Sequence, residues 1–270
     1  MIEKKLKIRN NQVEINYYKQ GEGNITLLFI HGWCISSSYW KNQISYFANT
    51  KKIYSIDLPG FGKSSAKRNN WSIEEYSNDI TAFIQTLDLK NVVIIGHSMS
   101  GYIMLQASLD NNSRIIGLVG IDNYKSFNIK SSAAQMEERT SFFNLLRENF
   151  KNTAEAYAEN MLLHPSTSNE IKERIKNDFS SSNPFVATAS LFNMMEFIPT
   201  VAAKLKRTPH KLYLINSDKT STDDVGLTKY CKKGYKLKTI NSTGHFPMIE
   251  KPLIFNELLD EILKEITSLI

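Results

Sequence analysis

The chain has little of several things, and each shortage excludes something. Of its 270 residues only two are cysteine, Cys34 and Cys231. Two thiols cannot build a disulfide framework, so a reducing compartment is the expectation. No run approaches the ~18 consecutive apolar residues of a membrane span. The first ten residues carry charges with no apolar segment behind them, unlike a secretory signal. A cytoplasmic protein without membrane association is therefore expected. One-sided charge is also scarce. The net +6 comes from 33 basic and 27 acidic residues. The lysines are spread along the chain, with only short clusters such as Lys4-Lys5 and Lys232-Lys233. That is a solvated surface, and no nucleic-acid partner is expected. Histidine, cysteine and carboxylate spacing does not suggest a metal site. No glycine-rich loop suggests a nucleotide cofactor. There are no internal repeats and no low-complexity tract.

What remains is a soluble composition, 41% hydrophobic and 22% charged, long enough for one large α/β domain with an insertion. Leu6 and Ile8, then Val13, Ile15 and Tyr17, flank Asn10-Asn11 and predict a hairpin. Ile25–Ile30 is a continuous apolar run, suited to a strand covered on both faces. Helix is expected over Ser38–Ala48 and strand over Ile53–Ile56. Ser72 followed by Glu75 predicts a capping box. Behind it Ile73, Tyr76, Ile80, Phe83, Ile84 and Leu87 recur at helical spacing. Strand Val92–Ile95, helix Met99–Leu109 and strand Ile115–Ile121 follow.

That alternation predicts a parallel sheet with helices on both faces. From Tyr124 to Lys206 no strand is expected; Ala133–Phe150 and Ala154–Leu163 read as helices. Lys211–Ile215 and Tyr235–Ile240 resume the sheet. Leu253–Leu269 is a final amphipathic helix, with Pro252 at its first position. Residues 1–123 and 207–270 thus form a core, and 124–206 a helical insertion.

The chemistry centres on residues 92–101, Val-Val-Ile-Ile-Gly-His-Ser-Met-Ser-Gly. A buried strand that breaks at Gly96 into a helix leaves Ser98 protruding at the turn. The amides of a helix start lie beside it. The usual pattern is Gly-x-Ser-x-Gly, and Ser100 departs from it. A serine hydroxyl needs a base, and the base needs an orienting group. His245 follows the last strand and so lies at the carboxyl edge of the sheet, where Ser98 emerges and where parallel sheets carry their sites. For the acid, Asp218 follows the strand ending at Ile215 and is preferred. Asp122, ending the preceding strand, is the alternative. Asp223 and Asp224 fit the first turn of the next helix, where acids complement the dipole. An oxyanion needs two N–H donors. Met99, next to the nucleophile, supplies one, and Trp33, after Gly32, the other. His31 is expected to hold that loop in place. His97 is read as a packed side chain, His164 and His210 as loop residues, and Cys34 as lining the site.

His31-Gly32-Trp33, Asp57 through Ser64, Gly96 through Gly101 and Gly244 through Pro247 occur in this order across nearly the whole chain. Together they resemble the α/β-hydrolase family. The resemblance implies an eight-stranded, mostly parallel sheet, a helical cap at 124–206 and the chain order Ser, Asp, His. It makes the Asp57–Ser64 turn mainly structural. It also implies acyl transfer to water, with a small, fairly apolar acyl substrate taken into a pocket lined by cap residues and no cofactor. An ester is the expected substrate. Thioester, amide, carbon–carbon and peracid chemistry, or a slow-turnover receptor on the same scaffold, are the alternatives. The acid loop, Asn216 to Thr220, lacks the glycine common before the aspartate.

Overall fold

The computed structural model describes residues 1–110, 113–127 and 132–268. Two antiparallel strands, β1 (Ile2–Ile8) and β2 (Val13–Gln20), open the chain. They pair from Ile2↔Lys19 to Ile8↔Val13 around the expected turn, where Arg9, Asn10 and Asn11 all have positive φ. β3 (Thr26–Ile30), α1 (Lys41–Phe47), β4 (Lys52–Ile56), the two-residue β5 (Ser65–Ala66) and α2 (Ile73–Thr86) follow. Then come β6 (Val92–His97), α3 (Met99–Leu109) and β7 (Ile115–Ile121). Among the described residues, five α-helices separate β7 from the next strand: α4 (Ala133–Glu148), α5 (Phe150–Tyr157), α6 (Asn169–Ser180), α7 (Pro184–Phe197) and α8 (Val201–Leu205). The chain ends with β8 (Leu212–Ser217), α9 (Asp224–Tyr230), β9 (Tyr235–Ile240), α10 (Pro247–Glu250) and α11 (Pro252–Thr267). The expected final helix extends to Leu269, which lies outside the described residues.

The strands form one sheet in the order β1-β2-β4-β3-β6-β7-β8-β9, with β5 beside β2. Only the pairings of β2 are antiparallel; from β4 to β9 neighbours run parallel. This is the α/β-hydrolase architecture: eight strands along the path, plus the short β5.

Every residue of β3 and β6 is buried, which is why these strands are apolar without alternation. α2 buries Ile73, Tyr76, Ile80, Phe83 and Ile84 along one stripe. Its cap is half of the expected box. Ser72 Oγ accepts the Glu75 N–H, but the Glu75 carboxylate turns to Arg9, 2.7 Å away, and so braces the hairpin. α11 packs Phe255, Leu259, Ile262, Leu263 and Ile266. Truncating a central residue such as Ile94, fully buried, should cost about 2–5 kcal/mol.

The strand order decides where a site can form. β3 is followed by β4 on one side, and the chain then crosses back to place β6 on the other. At that reversal, loops leave the carboxyl ends of β3 and β6 in opposite directions and open a crevice between them. Residues 31–36 and Ser98 lie at its mouth.

The helices between β7 and β8 cover this edge. α5 runs into one π-helical turn, Ala158–Leu162, where the sequence suggested a separate helix over 154–163. Such turns are rare and frequent at functional sites. The helical run Pro184–Leu205 is 22 residues and passes for a membrane span on length and composition, contrary to the sequence expectation. Here it buries Val186, Ala187, Leu191, Phe197, Val201 and Leu205 against the rest of the protein.

Candidate active site

Ser98 is the turn between β6 and α3. Its backbone has φ 54° and ψ −117°, a conformation that costs an L-residue of order 1–3 kcal/mol and persists only where the surroundings enforce it. Two bonds do so here. The Ser98 N–H donates to Ile121 O at 2.9 Å, and Ser98 O accepts the Gly101 N–H at 2.9 Å. The turn also needs missing side chains. A Cβ on Gly96 would lie 2.5 Å from Ser100 O, and one on Gly101 1.9 Å from Asn123 Nδ2.

Ser100, the departure from the glycine pattern, is fully buried and its hydroxyl donates to His31 O at 2.5 Å. The extra hydroxyl thus pins the loop after β3 onto the turn. His31 holds the same loop from the other side, accepting the Leu58 N–H on Nε2 at 2.8 Å. A Cβ on Gly32 would lie 2.6 Å from His97 Nδ1 and 3.0 Å from Ser98 Cβ. The loop therefore passes directly against the root of the serine side chain. Trp33 is anchored above it, its indole N–H donating to Ala187 O of α7 at 2.8 Å. Met99 opens α3, and the amide of a first helical residue has no intrahelical acceptor.

His245 sits in the loop after β9, held on three sides. Its N–H donates to Leu162 O at 2.8 Å. Its own carbonyl accepts the His97 Nε2–H at 2.8 Å. Glu250 brackets it, accepting Gly244 N at 3.0 Å, Phe246 N at 3.2 Å and the Thr167 hydroxyl at 2.6 Å. The His245 ring meets a carboxylate: Nδ1 donates to Asp122 Oδ2 at 2.5 Å. In the neutral ring with that bond, Nε2 is the nitrogen that carries the lone pair.

The acid is where the structure departs from the preferred assignment. Asp218 does not reach His245. It accepts the Ser242 N–H at 2.9 Å and is an exposed loop residue. The reason is register. Ile121 of β7 pairs with Ile215 of β8, but β8 runs on through Ser217. Asp218 therefore leaves the sheet later, and one strand further from β6, than Asp122 does. Asp122 turns back at once, with φ 48°, which an aspartate tolerates better than most residues. Its Oδ1 accepts Ser217 N and Ser217 Oγ, both at 2.7 Å, and Lys125 Nζ lies 2.8 Å away. Burial alone would raise the pKa of this carboxyl. The bond to His245, its charge and Lys125 more than offset that and hold it well below the usual range. Asp223 takes the other expected role, capping α9 by accepting Gly226 N at 2.8 Å, and Asp224 lies in that helix's first turn.

Ser98 and His245 are two walls of one cavity of about 40 Å³. Trp33, His97, Tyr157, Leu162, Phe179, Leu191 and Met194 complete it. The helices between β7 and β8 supply five of these, Tyr157 and Leu162 from the two ends of the π-turn region. A roomier cleft, about 450 Å³ between α4 and α7, contains none of these groups, so chemistry rather than size picks the site. His97 is kept neutral: burial, and then the neighbouring His245, push it far down. Cys34 does not line this cavity. It faces a separate cleft with Asp178 and Ser182, and burial pushes its thiol well up, away from the thiolate a nucleophile needs.

The sequence reading missed Lys125, Ser217, Glu250 and the π-turn. Lys125 and Ser217 act across strands, and only their nearness to the ends of β7 and β8 hinted at them. Glu250, five residues after His245, was the more legible signal.

A serine on a strained strand-to-helix turn, an imidazole oriented by a carboxylate, and two loops meeting at a reversal of strand order define a hydrolase of the α/β class. The chain belongs to the alpha/beta hydrolase fold family, which it matches over residues 25–252. It is 30% identical over 162 residues to a pimeloyl-[acyl-carrier protein] methyl ester esterase of Wigglesworthia glossinidia brevipalpis, covering 59% of this chain and 60% of that one. The chain thus spans about 60% of that relative's length. It is 22% identical to the karrikin insensitive 2 receptor IA of Petunia hybrida, over 92% of this chain and 94% of that one. Among solved structures, a thermophilic esterase from Thermogutta terrifontis superposes with a TM-score of 0.83 at 20% identity, over 98% and 99% of the two chains.

Proposed function

We propose that the protein hydrolyses short-chain carboxylic esters through Ser98, His245 and Asp122. The observation that carries the reading is the 2.5 Å bond from His245 Nδ1 to Asp122, with Ser98 across the same cavity. Ser98 Oγ attacks the ester carbonyl carbon while His245 Nε2 takes its proton. The oxygen that gains charge is met by the N–H groups of Trp33 and Met99. The tetrahedral adduct collapses, the bond to the alcohol oxygen breaks, and His245 returns the proton to that oxygen. Water then attacks the acyl-serine with His245 again as base, releasing the acid and restoring Ser98. No cofactor takes part.

The cavity argues for a short acyl group. Space of about 40 Å³ is on the order of what three small non-hydrogen groups fill. Its walls are mostly aromatic and aliphatic, so an apolar acyl chain is favoured over a charged one. The test is a p-nitrophenyl ester series from acetate to decanoate. Wild type should be fastest at two to four carbons, and Ser98→Ala should be inactive with an unchanged melting temperature. No turnover by wild type, together with no labelling by a fluorophosphonate, would overturn the reading.

Full-length similarity to a plant receptor favours a second reading, a ligand receptor on the same scaffold. Slow single turnover, with the cap changing its protease sensitivity on ligand addition, would point there.

A further inference from the structure

We infer that Lys125 is a positioning residue for the proposed reaction: it draws charge from the far side of Asp122 and so keeps His245 available as a base at lower pH. The inference rests on the assignment of Ser98, His245 and Asp122 proposed above.

The two oxygens of Asp122 are divided between opposite demands. Oδ2 takes the His245 N–H. Oδ1 takes Ser217 N, Ser217 Oγ and Lys125 Nζ. An acid whose task is to stabilise an imidazolium needs only neutral donors to fix its orientation, and Ser217 supplies two. The ammonium is an addition with an electrostatic consequence. It is partly sheltered, its side chain 15% exposed, beside a carboxylate side chain at 3%. Screening by water is weak there, so charges a few ångströms apart interact strongly. A cation on one carboxylate oxygen opposes a second cation forming on the ring at the other.

Lys125 is also held in place from the end of β8. Its Nζ donates to Ser217 O at 3.2 Å and Ser217 Oγ at 3.0 Å, with Thr220 Oγ1 at 3.4 Å. Among the described residues, several other charged or titratable groups near the pair are engaged elsewhere. His97, from β6, is neutral and bonded to His245 O. Glu250 is taken by backbone amides on both sides of His245. Asp218 turns to Ser242 N, and Lys219 donates to Leu163 O at 2.6 Å. His164 is engaged with Ser166 at 2.6 Å. Among the described residues, Lys125 is the one lysine or arginine paired with Asp122.

The test is the pH profile of kcat/KM for wild type, Lys125→Met, Lys125→Gln and Lys125→Arg, with melting temperatures for all four. Without the cation the imidazole protonates more readily. The acid limb should move up by about one pH unit in Met and Gln, a tenfold loss below the limb, and return in Arg. KM should change little. Gln keeps a donor to Ser217, so it carries the test if Met does not fold. Acid limbs that coincide across all four proteins would overturn the inference. If Ser98→Ala and Asp122→Asn remain fully active, the underlying assignment fails instead. If both are inactive while Lys125→Gln matches wild type, only the role of Lys125 fails.

Discussion

Ser98 and Asp122 follow the last register pair of two adjacent parallel strands, His97↔Ile121, and both turn with a left-handed backbone, φ 54° and 48°. The two side chains thereby leave the sheet side by side at one level. His245 comes in from the far edge of the sheet to join them.

That arrangement gives opposite expectations for the two aspartates. Asp122→Asn should lower kcat by roughly 10⁴-fold, as loss of a triad acid does elsewhere. Asp218→Asn touches loop amides and should leave kcat within about threefold, since surface changes are usually small. Steady-state kinetics on both variants decide it; the reverse ranking would return the acid role to Asp218.

The strained turn predicts a trade between activity and stability. Ser98→Gly removes the Cβ that makes φ 54° unfavourable. Relief of about 1–3 kcal/mol of strain, less the added freedom of glycine when unfolded, leaves a gain near 1 kcal/mol. The melting temperature should rise by about 2–4 °C while ester hydrolysis is lost. A fall in melting temperature would show that the turn is not strained.

Ser100 should matter through the loop it holds. Ser100→Ala leaves the buried His31 carbonyl without that donor, at a cost of about 1–3 kcal/mol in denaturant unfolding. The loop carrying Trp33 loosens with it, so kcat should fall more than KM rises. If stability and kcat are both unaltered, the bond to His31 contributes nothing.

Glu265 supplies a pH-dependent test of the far edge. Bonds to Lys211 of the β8 approach and Lys236 of β9 pull its carboxyl down to about 2. A depressed carboxyl stabilises the fold above its unfolded value, about 4.3, and that contribution is lost as pH falls toward 2. Glu265→Gln should therefore melt below wild type at pH 7 and level with it near pH 2. A gap that persists at pH 2 would point to packing rather than charge.

Much of this protein was legible in its residues. β3 and β6 announced themselves by continuous apolar runs, because strands buried on both faces cannot alternate. The stripe from Ile73 to Ile84 gave α2. Gly96, Ser98 and Gly101 gave the turn, since backbone there must pass within van der Waals contact of its neighbours. His245 lies at the edge its position after the last strand implied, because every parallel strand ends there. These are local matters: periodicity, sterics and chain direction.

The choice between Asp122 and Asp218 was not local. Both aspartates follow apolar strands ending in isoleucine or close behind it, and nothing in either segment records how far its strand continues beside its neighbour. β8 continues two residues past Ile215, and Asp122 turns at once. Only the register of β7 on β8 turns that difference into one carboxylate at His245 and another in a loop. The same holds for Lys125, Ser217 and the Ser100 bond to His31. Each joins segments distant in the chain, and the sheet that brings them together is a property of the whole fold.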